Sequence, residues 1–433
     1  MNSAPPKSAR QRGASRAPFP ADLVLAPVSR RPTRLEDATL KAILERDVPA
    51  YGTPAGPPKA SVVVATRDNL PFLRLCLESV LFATELPVEL IVIDNGSSDS
   101  TADYLDRLSA ENPAVRPVRN KTNSSFAKAC NQGAALAEGD LLLLLNDDTA
   151  VTPGWLPRLV AHLDGSEVGM IGPVTNRTGN EAQIDASYRT WGEFGRFADA
   201  RAREHAGAAF EIETLTMFCV AMRRALYDEI GSLDERFETG LLEDDDYSRR
   251  VRAAGYRLLC ADDAYVHHFG ETSFGKLVPS GEYGRVLEAN RARFEDKWGT
   301  PWHPYERRPS GRYREQSARM RRAVAEVADG GATVLVVSRG DDELLRIDGM
   351  RTRHFPAGRG GEYAGHHPAD SEEAIAWLEE QRDAGADLIV FPATASWWLE
   401  HYEELRRHLE RTCKRIHSEP ETCVIFDLGG AAR

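Results

Sequence analysis

SVVVATRDNLPFLRLCLESVLFATELPVELIVIDN, residues 61–95, holds two short apolar runs, Ser61-Val-Val-Val-Ala-Thr66 and Val88-Glu-Leu-Ile-Val-Ile-Asp-Asn95, each ending in polar residues. That is the pattern of strands buried on both faces. Between them, Leu73, Leu77, Val80 and Leu81 recur at helical spacing within Leu70 to Phe82. Outward from this unit the alternation continues. A helix is expected at Ser100 to Leu108, a strand at Val115 to Val118, a helix at Phe126 to Leu136 and a strand at Asp140 to Asn146. Strands alternating with helices predict an α/β fold, a mostly parallel sheet flanked by helices, with ligands bound beyond the strand carboxyl ends. Polar clusters stand at those ends: Thr66 to Asn69, Asp94 to Asp99, Asn120 to Ser125 and Asn146 to Thr149. Residues 167–300 add strands at Gly169 to Pro173, Leu215 to Met222, Arg257 to Cys260 and Ala264 to His268, and an acidic helix start at Leu242-Glu-Asp-Asp-Asp-Tyr247.

The chain has 433 residues, 42% hydrophobic and 28% charged, which suits two or three folded domains and excludes wholesale disorder or a collagen-like chain. Its longest aliphatic run, Leu141 to Leu145, is far short of the roughly 20 residues that cross a bilayer. The amino terminus lacks the apolar stretch of a secretory signal, so the expected location is cytoplasmic, or peripheral at the inner face of the membrane. A formal charge of −12 disfavours nucleic acid as a partner. The six cysteines form no C-x-x-C pair, so zinc and redox motifs find no support.

Residues 1–58, rich in Pro, Ala and Arg, are expected to be a disordered basic arm with one short helix at Leu35 to Glu45. The main domain is placed at 59–300, and 301–330 is read as an Arg-rich helical connector. Residues 331–433 read as a second, smaller α/β domain, with strands at Thr333 to Val337, Asp387 to Phe391 and Cys423 to Asp427 and helices at Ser371 to Arg382 and Ala395 to Thr412. His366-His367 suits a loop better than a metal, and Trp397-Trp398 suits helix packing better than a sugar platform.

Three features carry chemistry. Leu143-Leu-Leu-Asn-Asp-Asp-Thr149 delivers Asp147 and Asp148 to the sheet edge, where carboxylates hold a hard divalent cation or cap a turn. In the acidic helix, Asp245 and Asp246 pair at i,i+4 with Arg249 and Arg250, while Asp244 falls on the stripe of Tyr247 and Val251 and points inward as a candidate general base. In Tyr265-Val-His-His-Phe-Gly270, strand alternation sends His267 and His268 to opposite faces, so at most one meets the site.

Together these motifs, over roughly residues 60 to 300, resemble the family-2 glycosyltransferases of GT-A fold. Val62 to Asn69 is similar to the family's first strand and nucleotide-contacting turn, and Val92-Ile-Asp-Asn-Gly-Ser-Ser-Asp99 to its aspartate motif. Asn123-Ser-Ser-Phe-Ala-Lys-Ala-Cys-Asn-Gln-Gly133 is similar to its Asn-x-Gly-Phe segment, with Ser125 in place of glycine. The resemblance implies nucleotide-sugar contacts for Thr66, Asp94, Asn95, Asn123, Asn131 and Asp147. Asn146-Asp-Asp148 resembles the Asp-x-Asp motif, implying Asp148 as ligand of Mn²⁺ or Mg²⁺. His268-Phe-Gly270 resembles the family's His-x-Gly and implies His268 beside it. Glu243-Asp-Asp-Asp246 resembles Glu-Asp-x-Asp, implying Asp244 as catalytic base and Glu243 on the acceptor side. Arg67 and Lys128 are candidate phosphate contacts or surface ion pairs. The implied reaction is inverting hexosyl or deoxyhexosyl transfer from a nucleotide-sugar to a glycan, lipid-linked or other hydroxyl acceptor, in cell-envelope or polysaccharide synthesis. The alternatives are a non-catalytic carbohydrate-binding or scaffold subunit of the same fold and a sugar-nucleotidyltransferase. The latter expects a glycine-rich phosphate loop, and Thr66-Arg-Asp-Asn69 has no glycine.

Overall fold

The computed structural model describes residues 17–303 and 311–429, apart from 31, 53, 55, 339–340, 358–362, 364–367, 369 and 420–421. They form two compact units, one of residues up to 27 and 31–306, the other of residues 28–30 and from 307 onward.

The larger unit begins with helix α1 (Asp37–Leu44), then β1 (Ala60–Thr66), α2 (Leu70–Ala83), β2 (Val88–Asp94), α3 (Thr101–Glu111), β3 (Val115–Arg119), α4 (Phe126–Leu136) and β4 (Leu141–Asn146). It continues with the short β5 (Thr149–Ala150), α5 (Trp155–Ala161), β6 (Val168–Val174), α6 (Trp191–Glu204), β7 (Ala209–Glu211), β8 (Cys219–Arg223), α7 (Arg224–Ile230), α8 (Glu243–Ala253), β9 (Arg257–Tyr265), β10 (His267–His268) and α9 (Glu282–Trp298). Eight strands form one sheet in the order β3-β2-β1-β4-β8-β6-β9-β7. The first four are parallel, and β8 enters antiparallel between β4 and β6. β10 leaves the sheet to pair with β5, His268 opposite Thr149. Apolar side chains cover both sheet faces: Val63, Ile91 and Leu144 on one, Val62, Val64 and Leu143 on the other. Such two-sided burial explains why these strands read as unbroken apolar runs.

The expected strand at Leu215 to Met222 forms only from Cys219, because Leu215 and Phe218 precede the ladder and Leu215 N–H donates to Ser248 Oγ. The two strands expected between Arg257 and His268 are instead one long β9 followed by the short β10.

Residues 17–58 correct the expectation of a disordered arm; residues 1–16 lie outside the described residues. Phe19, Leu23, Leu25, Leu35 and Ile43 are buried in the main core, with Phe19 edge-on to Trp191 at 4.9 Å. Backbone bonds tie Leu25 to Arg189 and Thr33 to Glu271, and Arg46 ion-pairs with the buried Glu78 of α2 at 3.1 Å. Burying each large apolar side chain contributes about 1.5–3 kcal/mol. A few well-spaced anchors therefore dock a segment whose average composition is that of a tail.

The stretch expected as a connector likewise belongs to a core. In α10 (Gly311–Val327), Met320, Ala323 and Val324 are buried against Val334 and Val336 of the smaller unit. That unit continues with β11 (Thr333–Val336), β12 (Arg351–His354), α11 (Ser371–Asp383), β13 (Leu388–Pro392), α12 (Trp398–His401), α13 (Glu403–Thr412), β14 (Lys414–Glu419) and β15 (Cys423–Asp427), in the sheet order β12-β11-β13-β15-β14. The edge strands β12 and β14 are polar and carry no apolar run to reveal them. The single helix expected at Ala395 to Thr412 breaks at Tyr402, whose hydroxyl donates to the carbonyl of Pro368. Trp398 is fully buried in this core with Trp397 packed against it, and His366-His367 lies outside the described residues.

Candidate functional site

The carboxyl ends of β1, β2 and β4 gather the polar residues that sequence placed there. Thr66 Oγ1 donates to Asp147 Oδ2 at 2.7 Å, and Asn69 Nδ2 donates to Asp147 Oδ1 at 3.1 Å. Both oxygens of Asp147 are thus held by its neighbours, and burial with the adjacent Asp148 charge pushes its carboxyl well above the usual range. Thr66 and Asp147, both implied nucleotide contacts, thus bond each other. Asp148 differs. Burial opposes its ionisation, but His268 and the Thr272 hydroxyl, which donates to Oδ2 at 2.9 Å, hold its carboxyl below the usual range.

Asp148 Oδ1 faces His268 Nε2 at 3.3 Å. The ring's other nitrogen, Nδ1, lies 2.8 Å from the carbonyl oxygen of Arg177, which can only accept. Nδ1 therefore carries the proton, and in the neutral ring Nε2 presents a lone pair to a carboxylate lone pair. Such an arrangement is repulsive until a proton or a cation lies between. A metal-bound histidine donates its far N–H to a carbonyl in the same way. Phe218 stacks on the His268 ring at 4.9 Å, and Asn176 bonds both its backbone N–H and its carbonyl. His267 turns the other way, into a cluster of Tyr188, Phe194 and Phe269, where burial pushes its pKa down to about 3. Among the described residues, no three His, Cys, Asp or Glu side chains converge as a closed metal cage. The donor set fits a cation such as Mg²⁺ or Mn²⁺ that keeps positions for substrate phosphate oxygens.

The second acidic cluster heads α8. Ser248 in its middle accepts from Leu215 N, just before β8, and Val251 lies against Gly169 at the start of β6. The helix thus runs antiparallel to β6, bringing Glu243 and Asp244 to the same sheet edge as Asp148. One segment touches both clusters. Thr272 bonds Asp148, while the Phe274 ring lies 2.7 Å from where a Cβ on Gly240 would stand, and Glu243 Oε1 is 3.6 Å from that point.

Within α8 the helix-face expectation needs correction. The fully buried acid is Asp246, bonded to Arg250 Nε at 3.1 Å, Lys297 Nζ at 2.7 Å and Trp298 Nε1 at 3.0 Å. Asp244 is half-buried and accepts from the backbone N–H of Asp245. Arg249 does not turn to Asp245; it donates to Thr300 and stacks on Trp298. Burial raises the carboxyls of Glu243, Asp244 and Asp245 alike, and the Asp244 charge adds to the effect at Glu243 and Asp245. Glu243 is 7% exposed and its Oε2 has no hydrogen-bond partner.

Other implied contacts separate in the same way. Asp94 is buried and accepts from Ser97 N–H at 2.9 Å. Asn95 spends its side chain on Ser124 and Asn120. Asn131 bonds Leu233 twice, Glu235 and Tyr227, so it fastens the loop after α7 rather than a ligand. Asn123 is exposed ahead of α4. Ser125, where the family has glycine, caps α4 by accepting from Lys128 N–H. Gly133 is required by close packing, since a Cβ there would stand 2.3 Å from Val63. Arg67 pairs with Asp68, and Lys276 rather than Lys128 reaches the nucleotide-side turn, at the carbonyl of Asp68. Sequence reading missed Asn69, Thr272 and Asn176, polar residues whose partners lie far along the chain.

Residues 61–231 match the sequence model of Glycosyl transferase family 2. Over that stretch, from β1 to α7, the chain is similar to this family. The match ends before α8, so Asp244 lies beyond it. Among curated relatives, uncharacterized protein y4gI of Sinorhizobium fredii is 30% identical over 230 residues, covering 51% of this chain and 25% of that one. The O-antigen biosynthesis protein RfbC of Myxococcus xanthus is 26% identical over 270 residues, covering 58% and 20%. The chain thus spans a quarter or less of those relatives' lengths. Among solved structures, the mannosyltransferase PcManGT of Pyrobaculum calidifontis, in complex with GDP-Man and Mn²⁺, aligns with 61% of this chain and 82% of its own at 16% identity and a TM-score of 0.38. S. aureus TarS with UDP-GlcNAc aligns over 56% and 73% at 17% identity and a TM-score of 0.37. Among the described residues, no helix is long and apolar enough to cross a membrane.

Proposed function

We propose that the domain is an inverting glycosyltransferase that moves a hexosyl or deoxyhexosyl group from a nucleotide diphosphate donor to a hydroxyl acceptor with the aid of a divalent cation. The observation that carries this reading is the pairing, at one sheet edge, of Asp148 facing Nε2 of His268 with Asp244 at the head of α8. Asp148 and His268 would hold Mn²⁺ or Mg²⁺, which when bound neutralises charge on the diphosphate leaving group. Asp244 accepts the proton of the acceptor hydroxyl as that oxygen bonds the anomeric carbon. The carbon–oxygen bond to the diphosphate breaks with its electron pair leaving on phosphate oxygen. Burial keeps Asp244 more basic than an ordinary carboxylate, which suits a general base. Glu243 stands beside it to receive an acceptor hydroxyl. The name of the relative RfbC supports a place in surface-polysaccharide synthesis, with a glycan or lipid-linked acceptor.

The test incubates the full chain with a panel of UDP-, GDP- and dTDP-sugars and measures release of nucleoside diphosphate with Mn²⁺, with Mg²⁺ and with chelator. Cation-dependent release from at least one donor is expected. Thermal stabilisation by donors without any turnover would support the scaffold reading instead.

A further inference from the structure

The loop that delivers α8 to the sheet edge is held in a conformation that its own residues disfavour. Thr239, Gly240, Leu241 and Leu242 all have positive φ, at 67°, 133°, 76° and 72°. Only the glycine adopts such angles readily, and consecutive left-handed residues persist where surrounding contacts over-determine them. The contact that does so comes from 50 residues downstream. Asn290 of α9, fully buried, points its amide nitrogen at three carbonyls of this loop: Glu238 at 3.1 Å, Gly240 at 2.6 Å and Leu241 at 3.0 Å. Its oxygen accepts from Arg293 Nη1 at 2.7 Å. The amide orientation is therefore settled by chemistry, since carbonyls only accept and guanidinium only donates. Two turns further along α9, Lys297 and Trp298 grip Asp246.

We infer that Asn290 is a positioning residue for the transfer reaction, clasping the left-handed loop so that Glu243 and Asp244 are aimed at the acceptor. The inference rests on the reading of Asp244 as the base. Asn290 touches neither reacting group, so its effect falls on the placement of α8 and not on the donor pocket around Thr66 and Asp148.

Asn290→Asp keeps size and shape but turns an oxygen toward three carbonyl oxygens, and Asn290→Ala removes the clasp. With the donor that gives the fastest Mn²⁺-dependent release, both variants should lose roughly 10- to 100-fold in kcat, the scale of a misaligned catalytic group. KM for the donor and the thermal shift produced by Mn²⁺ with the matching nucleoside diphosphate should stay within about twofold of wild type. Leu241→Gly in the Asn290→Asp background relieves the left-handed strain and should restore part of the rate. Wild-type kcat in Asn290→Asp, or a parallel fall of kcat, donor affinity and melting temperature with no rescue by Leu241→Gly, would overturn the inference. Asp244→Asn run alongside separates the two claims. If it keeps turnover, the base assignment fails whatever the clasp does. If it is inactive while Asn290→Asp is not, only the clasp fails.

Discussion

The two acidic clusters, Asn146-Asp-Asp148 at the end of β4 and Glu243-Asp-Asp-Asp246 at the head of α8, look alike in sequence and are divided alike in space. Each contains one carboxylate consumed by the fold: Asp147 by Thr66 and Asn69, Asp246 by Arg250, Lys297 and Trp298. Each leaves a neighbour for chemistry, Asp148 beside His268 and Asp244 beside Glu243. The difference lies in what surrounds the open acid. Asp148 is held below the usual carboxylate range by a histidine and a hydroxyl, which suits a ligand that must stay ionised. Asp244 is raised by burial, which suits a group that must take up a proton. Adjacent aspartates are thus not interchangeable, and the partners of each, not its place in the motif, assign its task.

Substitution at the open acids should separate those tasks. Asp244→Asn is expected to lower kcat by about 10²–10⁴, the usual contribution of general acid–base catalysis, while leaving cation and donor affinity near wild type. If turnover survives, the division within the second cluster is wrong. Asp148→Asn should lower turnover by roughly 10²-fold and raise the Mn²⁺ concentration needed for half-maximal rate, whereas Asp244→Asn leaves that concentration alone. A titration of rate against Mn²⁺ decides.

The consumed acids should fail differently. Asp246→Ala removes the buried carboxylate shared by the half-buried Lys297 and Arg250 and should cost about 3 kcal/mol of stability, the scale for breaking a buried pair. A fall of roughly 6–12 °C in melting temperature would register it. A variant that loses activity at unchanged melting temperature would move Asp246 into the reacting set. The smallest effect is in pH. Because burial raises the Asp244 carboxyl, the rate should climb with pH through a midpoint above about 3.9, the ordinary aspartate value, and then level off as the base becomes ionised. A midpoint at or below that value in a kcat–pH profile would show that Asp244 is not the rate-controlling base.

The strand–helix alternation from Ser61 to Asn146 was legible because two-sided burial writes long apolar runs into the sequence. Strand alternation showed that His267 and His268 turn to opposite faces, but only the likeness to a His-x-Gly motif favoured His268. Asp246 pairs with Arg250 as its spacing predicts, but its full burial was missed because the helix stripe was counted from apolar residues alone, while the buried face of α8 is completed by Lys297 and Trp298 of α9. Asn131 and Asn95 were drawn toward the ligand by motif likeness, yet their amides are spent on the loop after α7 and the turn near Ser124. Asn290 was invisible in one dimension, since nothing in a lone asparagine on a charged helix announces three carbonyl partners 50 residues upstream.

The docking of residues 17–51 bears on how this protein should be handled at the bench. A recombinant fragment trimmed to the first strand at Ala60 would uncover the slots of Phe19, Leu25 and Ile43 and strip Arg46 and Tyr51 from the buried Glu78. Such a fragment would be sticky and short-lived on purification, so a failed expression trial with that boundary would say nothing about catalysis.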